Sequence, residues 1–151
     1  MELNKTLEAK AELLIRKPVA EVFEAFIDPE IITKFWFDRS TGRLDKGKAV
    51  RWHWELFDLS LDVHVKDILQ NERIFIEWGV GNENLTTVEW TFTPRTDDTT
   101  YVAIIVAGFT GDADKIVAEA LDATGGFALV LAAAKAWLEH GIQLNIVADR
   151  F

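Results

Sequence analysis

Apolar residues recur at every third or fourth position through Ile116, Ala120, Ala123, Phe127, Leu131, Ala134, Leu138 and Ile142. That spacing lays them along one stripe of an α-helix. A second row, Val117, Leu121, Ala128 and Val130, widens the stripe, and Ala132 and Ala133 leave little polar face beside it. The pattern predicts a helix within Asp112–Asn145 that the rest of the chain covers over most of its girth. Unbroken, this stretch would be about 50 Å long at about 1.5 Å per residue. A globule of this chain length is about 40 Å across. A bend or break is therefore expected at Gly125-Gly126, where each glycine costs about 1 kcal/mol relative to alanine. The missing side chains would also leave space against a sheet, as at a cavity wall, and both readings can hold together. His140-Gly141 reads as a last turn with a C′ glycine. Asp112 and Asp114 suit the start of the helix, where negative charge is favourable.

Elsewhere the period is mostly two. Residues 6–16 alternate, with Leu7, Ala9, Ala11, Leu13 and Ile15 set against Glu8, Lys10, Glu12 and Arg16, as in a half-buried strand. Pro18 fits the first turn of a short helix whose apolar side carries Val22, Phe23 and Phe26. Asp28 and Pro29 supply an N-cap and N1 for a second helix, Glu30 to Phe35. A weak strand is expected at 40–44 and a turn at Asp45-Lys46-Gly47. Residues 48–57 place Val50, Trp52, Trp54 and Leu56 on one face, and 59–66 place Leu59, Leu61, Val63 and Val65 on one face. Folded as a hairpin about Phe57-Asp58, these strands pair Leu56 with Leu59, Trp54 with Leu61 and Trp52 with Val63. A slip of one residue would turn every tryptophan outward, so the pattern is expected to pin the register. Further strands are expected at 73–79, with Ile74, Ile76 and Trp78 inward, at 86–93, with Val88, Trp90 and Phe92 inward, and at 100–108. A loop at Gly79–Asn84 and a turn at Pro94–Thr99 separate them. One strand, two short helices, six meandering strands and a long helix predict an α+β protein with an antiparallel sheet covered on one face.

The 151 residues suit one domain spanning 1–151. With no cysteine, disulfides, thiolate metal sites and a cysteine nucleophile are excluded, and a reducing compartment fits. The N-terminal segment lacks the layout of a signal peptide, and no apolar run is expected to reach the roughly 18 residues of a membrane span. A cytoplasmic protein is expected. The net charge of −9 argues against a nucleic-acid partner.

Several short motifs carry a resemblance. They are Pro18-Val19-Ala20-Glu21-Val22-Phe23-Glu24-Ala25, Asp28-Pro29-Glu30, Phe35-Trp36, Thr93-Pro94-Arg95, Gly108-Phe109, Gly125-Gly126-Phe127 and Ala136-Trp137-Leu138-Glu139-His140-Gly141. In this order and spacing the chain resembles the START/Bet v 1-like superfamily. Within it, the likeness is to the bacterial branch grouped with the heat-shock protein 90 ATPase activator. The resemblance covers nearly the whole chain and implies a helix-grip fold, a curved sheet of about seven strands around the C-terminal helix, often with a hydrophobic cavity between them. The chain departs from the pattern in carrying Phe127 where members often have tryptophan. It also has Val106-Ala107 where many have a polar residue or histidine, which implies a more apolar cavity.

Chemical candidates are few. His53 and His64 fall on the charged face, His53 opposite Asp62 and His64 opposite Arg51 in the register above, and read as cross-strand polar pairing. No spacing supplies three or four metal ligands. There is no G-x-S-x-G, and Gly79-Val80-Gly81 precedes no helix, so a nucleophile elbow and a phosphate loop are not expected. Lys135 and Glu139 lie near the helix stripe and either reach solvent or the cavity mouth. Four inward tryptophans suggest either a solid core or an aromatic-lined pocket with scattered donors. The expected lining is Trp52, Trp54, Trp78, Trp90, Val106, Phe127 and Leu131. The partner expected is a small hydrophobic molecule, with no catalytic residue, metal or cofactor, and neither nucleic acid nor membrane. A homodimer, a chaperone partner and a cyclase- or hydrolase-like activity in the same cavity stay open.

Overall fold

A computed structural model describes residues 7–80 and 85–150. Residues 81–84 of the expected Gly79–Asn84 loop and residue 6 of the first strand lie outside them. Strand β1 (Ala9–Ile15) is followed by helices α1 (Val19–Ile27) and α2 (Pro29–Ile32). Six strands follow: β2 (Arg39–Ser40), β3 (Ala49–Trp54), β4 (Leu59–Leu69), β5 (Arg73–Gly79), β6 (Thr86–Thr96) and β7 (Thr99–Ala107). The chain then forms the long helix α3 (Ala113–His140) and a single turn, α4 (Ile146–Asp149). The sheet order is β1-β7-β6-β5-β4-β3-β2, and every neighbouring pair is antiparallel. This is the α+β helix-grip architecture: a seven-stranded antiparallel sheet around a C-terminal helix.

Local chemistry accounts for the boundaries. The Asp28 carboxylate accepts from the Glu30 N–H at 2.9 Å, with Pro29 in the first turn of α2. Asp112 caps α3 by accepting from the Lys115 N–H at 2.8 Å. Gly141 ends α3 in the left-handed region at φ 66°, its N–H donating to the Trp137 carbonyl at 2.8 Å, as its place after His140 implies.

Three expectations are corrected. First, the β3–β4 register is displaced by two residues. Trp54 pairs with Leu59, Trp52 with Leu61 and Val50 with Val63. The turn takes in residues 55–58 and leaves Leu56 64% exposed. A displacement of two keeps each side chain on its face, so Trp52 and Trp54 remain buried. It changes the polar pairs: His53 faces Ser60, Arg51 faces Asp62, and His64 faces Ala49 and Glu77.

Second, α3 is not broken. Its 28 residues, about 42 Å at the usual rise, continue through Gly125 and Gly126. The space left by the two glycines is taken by Arg150, beyond α4. A Cβ on Gly126 would lie 2.7 Å from Arg150 Nη1, and one on Gly125 would lie 3.5 Å from Nη2. The guanidinium donates to the Asp122 carbonyl at 3.1 Å and to its carboxylate at 2.7 Å.

Third, α3 is covered along one side only. Ile116, Ala120, Phe127, Val130, Leu131, Ala133 and Ala134 are buried, but Val117, Leu121 and Ala128 of the second row face outward, Leu121 with 70% exposure. By length and composition α3 could cross a membrane; here its apolar side is the core helix of the grip.

The helix lies closest to β1, and Lys135 and Glu139 join the two. Lys135 Nζ donates to the Leu14 carbonyl at 2.6 Å and to Glu139 Oε2 at 2.7 Å, and the same oxygen accepts from the Arg16 N–H at 2.7 Å. Neither residue reaches the cavity mouth. Burial pushes the Glu139 carboxyl up, but the Arg16 N–H and Lys135 outweigh it and hold it below its ordinary value of 4.5. A carboxyl depressed in the folded state stabilises above its unfolded pKa, and that contribution is lost as pH falls through the folded value.

Glu139→Gln is therefore expected to cost about 1–3 kcal/mol near neutral pH. The penalty should shrink as pH drops below about 4.5, which urea midpoints measured across that range will show. For the glycine pair, Gly126→Ala in an Arg150→Ala background should stabilise by about 1 kcal/mol, the helix-propensity difference. With Arg150 present the gain should be smaller, because the methyl group and the guanidinium compete for one space. A double-mutant cycle on thermal midpoints measures the coupling.

Candidate functional site

The concave face of the sheet carries large rings. Trp52 comes from β3, Trp78 from β5, and Trp90 and Phe92 from β6. Phe23 and Phe26 of α1 cover part of this face, with ring centroids 5.3 and 6.0 Å from Phe92. Trp36, in the segment after α2, covers more. Its indole lies 5.1 Å from Trp52, 5.9 Å from Trp78, 6.1 Å from Trp90 and 5.5 Å from Phe127 of α3. These tilted and edge-on arrangements are the favourable ones for aromatic pairs.

The rings do not fill the whole interval. A cavity of about 370 Å³ lies between the sheet and α3. Trp78, Thr86 and Val106 line it from the sheet, Phe109 from the end of β7, and Ala123, Gly126, Phe127 and Val130 from α3. Trp36 closes one side, and Val147 of α4 and Arg150 close another. Ala123 on α3 helps to make the room, since a bulkier side chain there would project into the void, whereas at Gly126 the guanidinium of Arg150 takes the side-chain space.

The seven residues expected to line a pocket separate into three groups. Trp78, Val106 and Phe127 line the cavity. Trp52, Trp90 and Leu131 are at most 1% exposed and sit in the packed core behind it; Trp52 is stacked on Phe37 at 4.6 Å. Trp54 borders a separate cavity of about 140 Å³ on the far side of Trp36, beside Leu144. Sequence reasoning missed Trp36, Thr86, Phe109 and Arg150. Trp36 and Phe109 fall in the Phe35-Trp36 and Gly108-Phe109 motifs, but neither belongs to an alternating run that would give it a direction.

The polar groups of the cavity are unevenly placed. Among the described residues its titratable lining groups are Glu119, Asp122 and Arg150. Glu119 and Asp122 are on the exposed side, 43% and 67% accessible, and each has a cation beside it: Lys115 at 3.6 Å and Arg150 at 2.7 Å. On the sheet side, Trp78 Nε1 donates to Thr86 Oγ1 at 3.0 Å. The Trp90 indole N–H is buried with no hydrogen-bond partner among the described residues, an arrangement that costs about 1–3 kcal/mol.

The histidines lie elsewhere. His53 Nδ1 is 2.7 Å from Ser60 Oγ, and its Nε2 is 3.5 Å from Glu55. The order carboxylate, imidazole, hydroxyl would suit proton transfer. Yet the cluster stands on paired strands, where the β3 and β4 amides are committed to the ladder, and Arg39 holds Glu55 at 2.8 Å. Without donors aimed at a developing oxyanion, it serves as a cross-strand polar contact. Among the described residues no three His, Asp or Glu side chains are grouped to hold a metal ion.

Comparison with known proteins fits this geometry. Structures similar to this one include the protein SSP2350 from Staphylococcus saprophyticus, at 26% identity and a TM-score of 0.76, covering 91% of this chain and 96% of that one. The Aha1 dimer from Colwellia psychrerythraea aligns at 14% identity and a TM-score of 0.77, over 90% of this chain and 98% of that one. The di-domain ARO/CYC BexL from the BE-7585A biosynthetic pathway aligns at 15% identity and a TM-score of 0.77, over 89% of this chain and 47% of that one. The last two likenesses are of fold alone. No curated protein matches the sequence significantly. The family described as Activator of Hsp90 ATPase homolog 1-like protein matches residues 16–139, from the end of β1 almost to the end of α3, and the chain belongs to that family.

Proposed function

We propose that this protein binds a small, mainly apolar molecule, lipid-like or aromatic, in the cavity between the sheet and α3. The observation that carries the reading is the void of about 370 Å³ beside Trp36, Trp78 and Phe127. Its size falls within the usual range for small-molecule sites, about 300–1,000 Å³, and a mainly apolar lining with a few polar groups is their usual composition. The family's fold supports it, since a sheet gripping a helix leaves such an interval wherever the helix residues are small. The fold shared with a di-domain ARO/CYC of a biosynthetic pathway is in keeping with a small-molecule role.

Binding is favoured over acid–base catalysis in this cavity. Its carboxylates stand at the exposed edge beside cations, and its deeper wall of Trp78, Val106, Phe127 and Val130 has no titratable group. Contact with the ligand is assigned to Trp36, Trp78, Val106 and Phe127. Trp52, Trp90 and Leu131 support that wall from behind. A ligand of about 20 non-hydrogen atoms, at about 0.3 kcal/mol each, reaches a Kd of tens of micromolar.

Titration with Nile red is expected to quench or shift tryptophan emission saturably in that concentration range. Ala123→Phe, which places a ring in the void from α3, should weaken binding at least tenfold while the thermal unfolding transition stays cooperative. Absence of a saturable response in the wild-type protein would overturn the reading.

A further inference from the structure

We infer that the cavity selects apolar ligands bearing a hydrogen-bond-accepting oxygen, such as an aryl ketone or quinone, and that the Thr86 hydroxyl reads it. This rests on the binding reading above and specifies its ligand.

A threonine hydroxyl has one proton to give and two lone pairs to receive. Thr86 Oγ1 already accepts from Trp78 Nε1 at 3.0 Å. Its own proton has no acceptor among the described residues, and the side chain lines the cavity. Thr86 and Trp78 are direct cross-strand partners, in the register that pairs β5 with β6. The indole therefore arrives from the neighbouring strand and fixes the hydroxyl oxygen. With that oxygen engaged as an acceptor, the O–H is directed elsewhere, and accepting an N–H strengthens it as a donor.

Among the described residues the rest of the inner wall offers the ligand no side-chain acceptor. Val106, Phe109, Ala123, Phe127 and Val130 are apolar, and the indole of Trp36 has a donor only. The acceptors that line the cavity, Glu119 and Asp122, are on its exposed side beside Lys115 and Arg150. A ligand hydroxyl or amine can meet Thr86 through one hydrogen bond only, accepting its proton or donating to its second lone pair, so one of the protons stays unpaired beside this wall, whereas a carbonyl oxygen satisfies the Thr86 proton and brings none of its own. Leaving a buried polar group unpaired is the costlier outcome, so the wall discriminates by penalty as well as by attraction.

The test compares two probes of one shape: 2-propionylnaphthalene, which carries a ketone, and 2-propylnaphthalene, which does not. Both are titrated against the wild-type protein, Thr86→Val and Thr86→Ser, with tryptophan emission as the readout and thermal melts confirming that each variant folds. After correction for the probes' different partition between water and alkane, the wild-type protein should prefer the ketone by about three- to tenfold, the value of one hydrogen bond. Thr86→Val should lose that preference while still binding the hydrocarbon, and Thr86→Ser, which restores a hydroxyl, should keep it. Binding of both probes with the same preference in wild type and Thr86→Val overturns this inference and leaves the cavity reading standing. Failure of both probes to bind the wild-type protein overturns both.

Discussion

The indole of Trp36 is the contact on which the interior depends. It belongs to neither the sheet nor α3, yet it meets rings from both: Trp52, Trp78 and Trp90 on three strands and Phe127 on the helix. Helix α3 rests on the β1 edge of the sheet, where Lys135 and Glu139 tie it to Leu14 and Arg16. Toward the middle strands something large must span the interval between sheet and helix, and aromatic side chains are the largest apolar bodies a chain has. Trp36 and Phe127 span it. The volume they leave is the cavity.

Such an arrangement divides labour between packing and openness. Trp52, Trp90, Phe23 and Phe26 are almost wholly shielded from water and hold the sheet's concave face in shape. Trp78 is only half-buried, and its indole nitrogen is directed to Thr86 rather than into the core. Protein interiors are close-packed, and voids larger than a water molecule are few. A space this large beside so much tightly packed aromatic surface is therefore selective in its location: it stands where α3 presents the small side chain of Ala123.

Much of the architecture was legible because burial imposes periodicity. Alternation located the inward faces of the strands, including Trp52, Trp54, Trp78 and Trp90, and a two-residue error in the β3–β4 register left those faces unchanged. The same error displaced every polar partner, because cross-strand pairing follows from the length of the turn, which hydrophobic pattern does not encode. Alternation also reports which face a residue takes and not whether the space before it is filled. Trp52 and Trp78 therefore looked equivalent, although one is in solid core and the other borders the void. Trp36 carried no directional signal in a segment without a period. The break considered at Gly125-Gly126 does not occur, and a residue 24 places downstream of Gly126 occupies the position of its missing side chain.

That occupancy has a bearing on how large a guest the fold can take. Most of the chamber's boundary is strand or core helix, and widening it there would mean parting hydrogen-bonded ladders or repacked rings. At the Gly126 boundary the limit is a guanidinium on a flexible stem, carried by the segment that follows α3 and anchored to Asp122 by two hydrogen bonds. Swinging one side chain aside disturbs far less than either alternative, so the enclosure has a rigid back and one yielding corner.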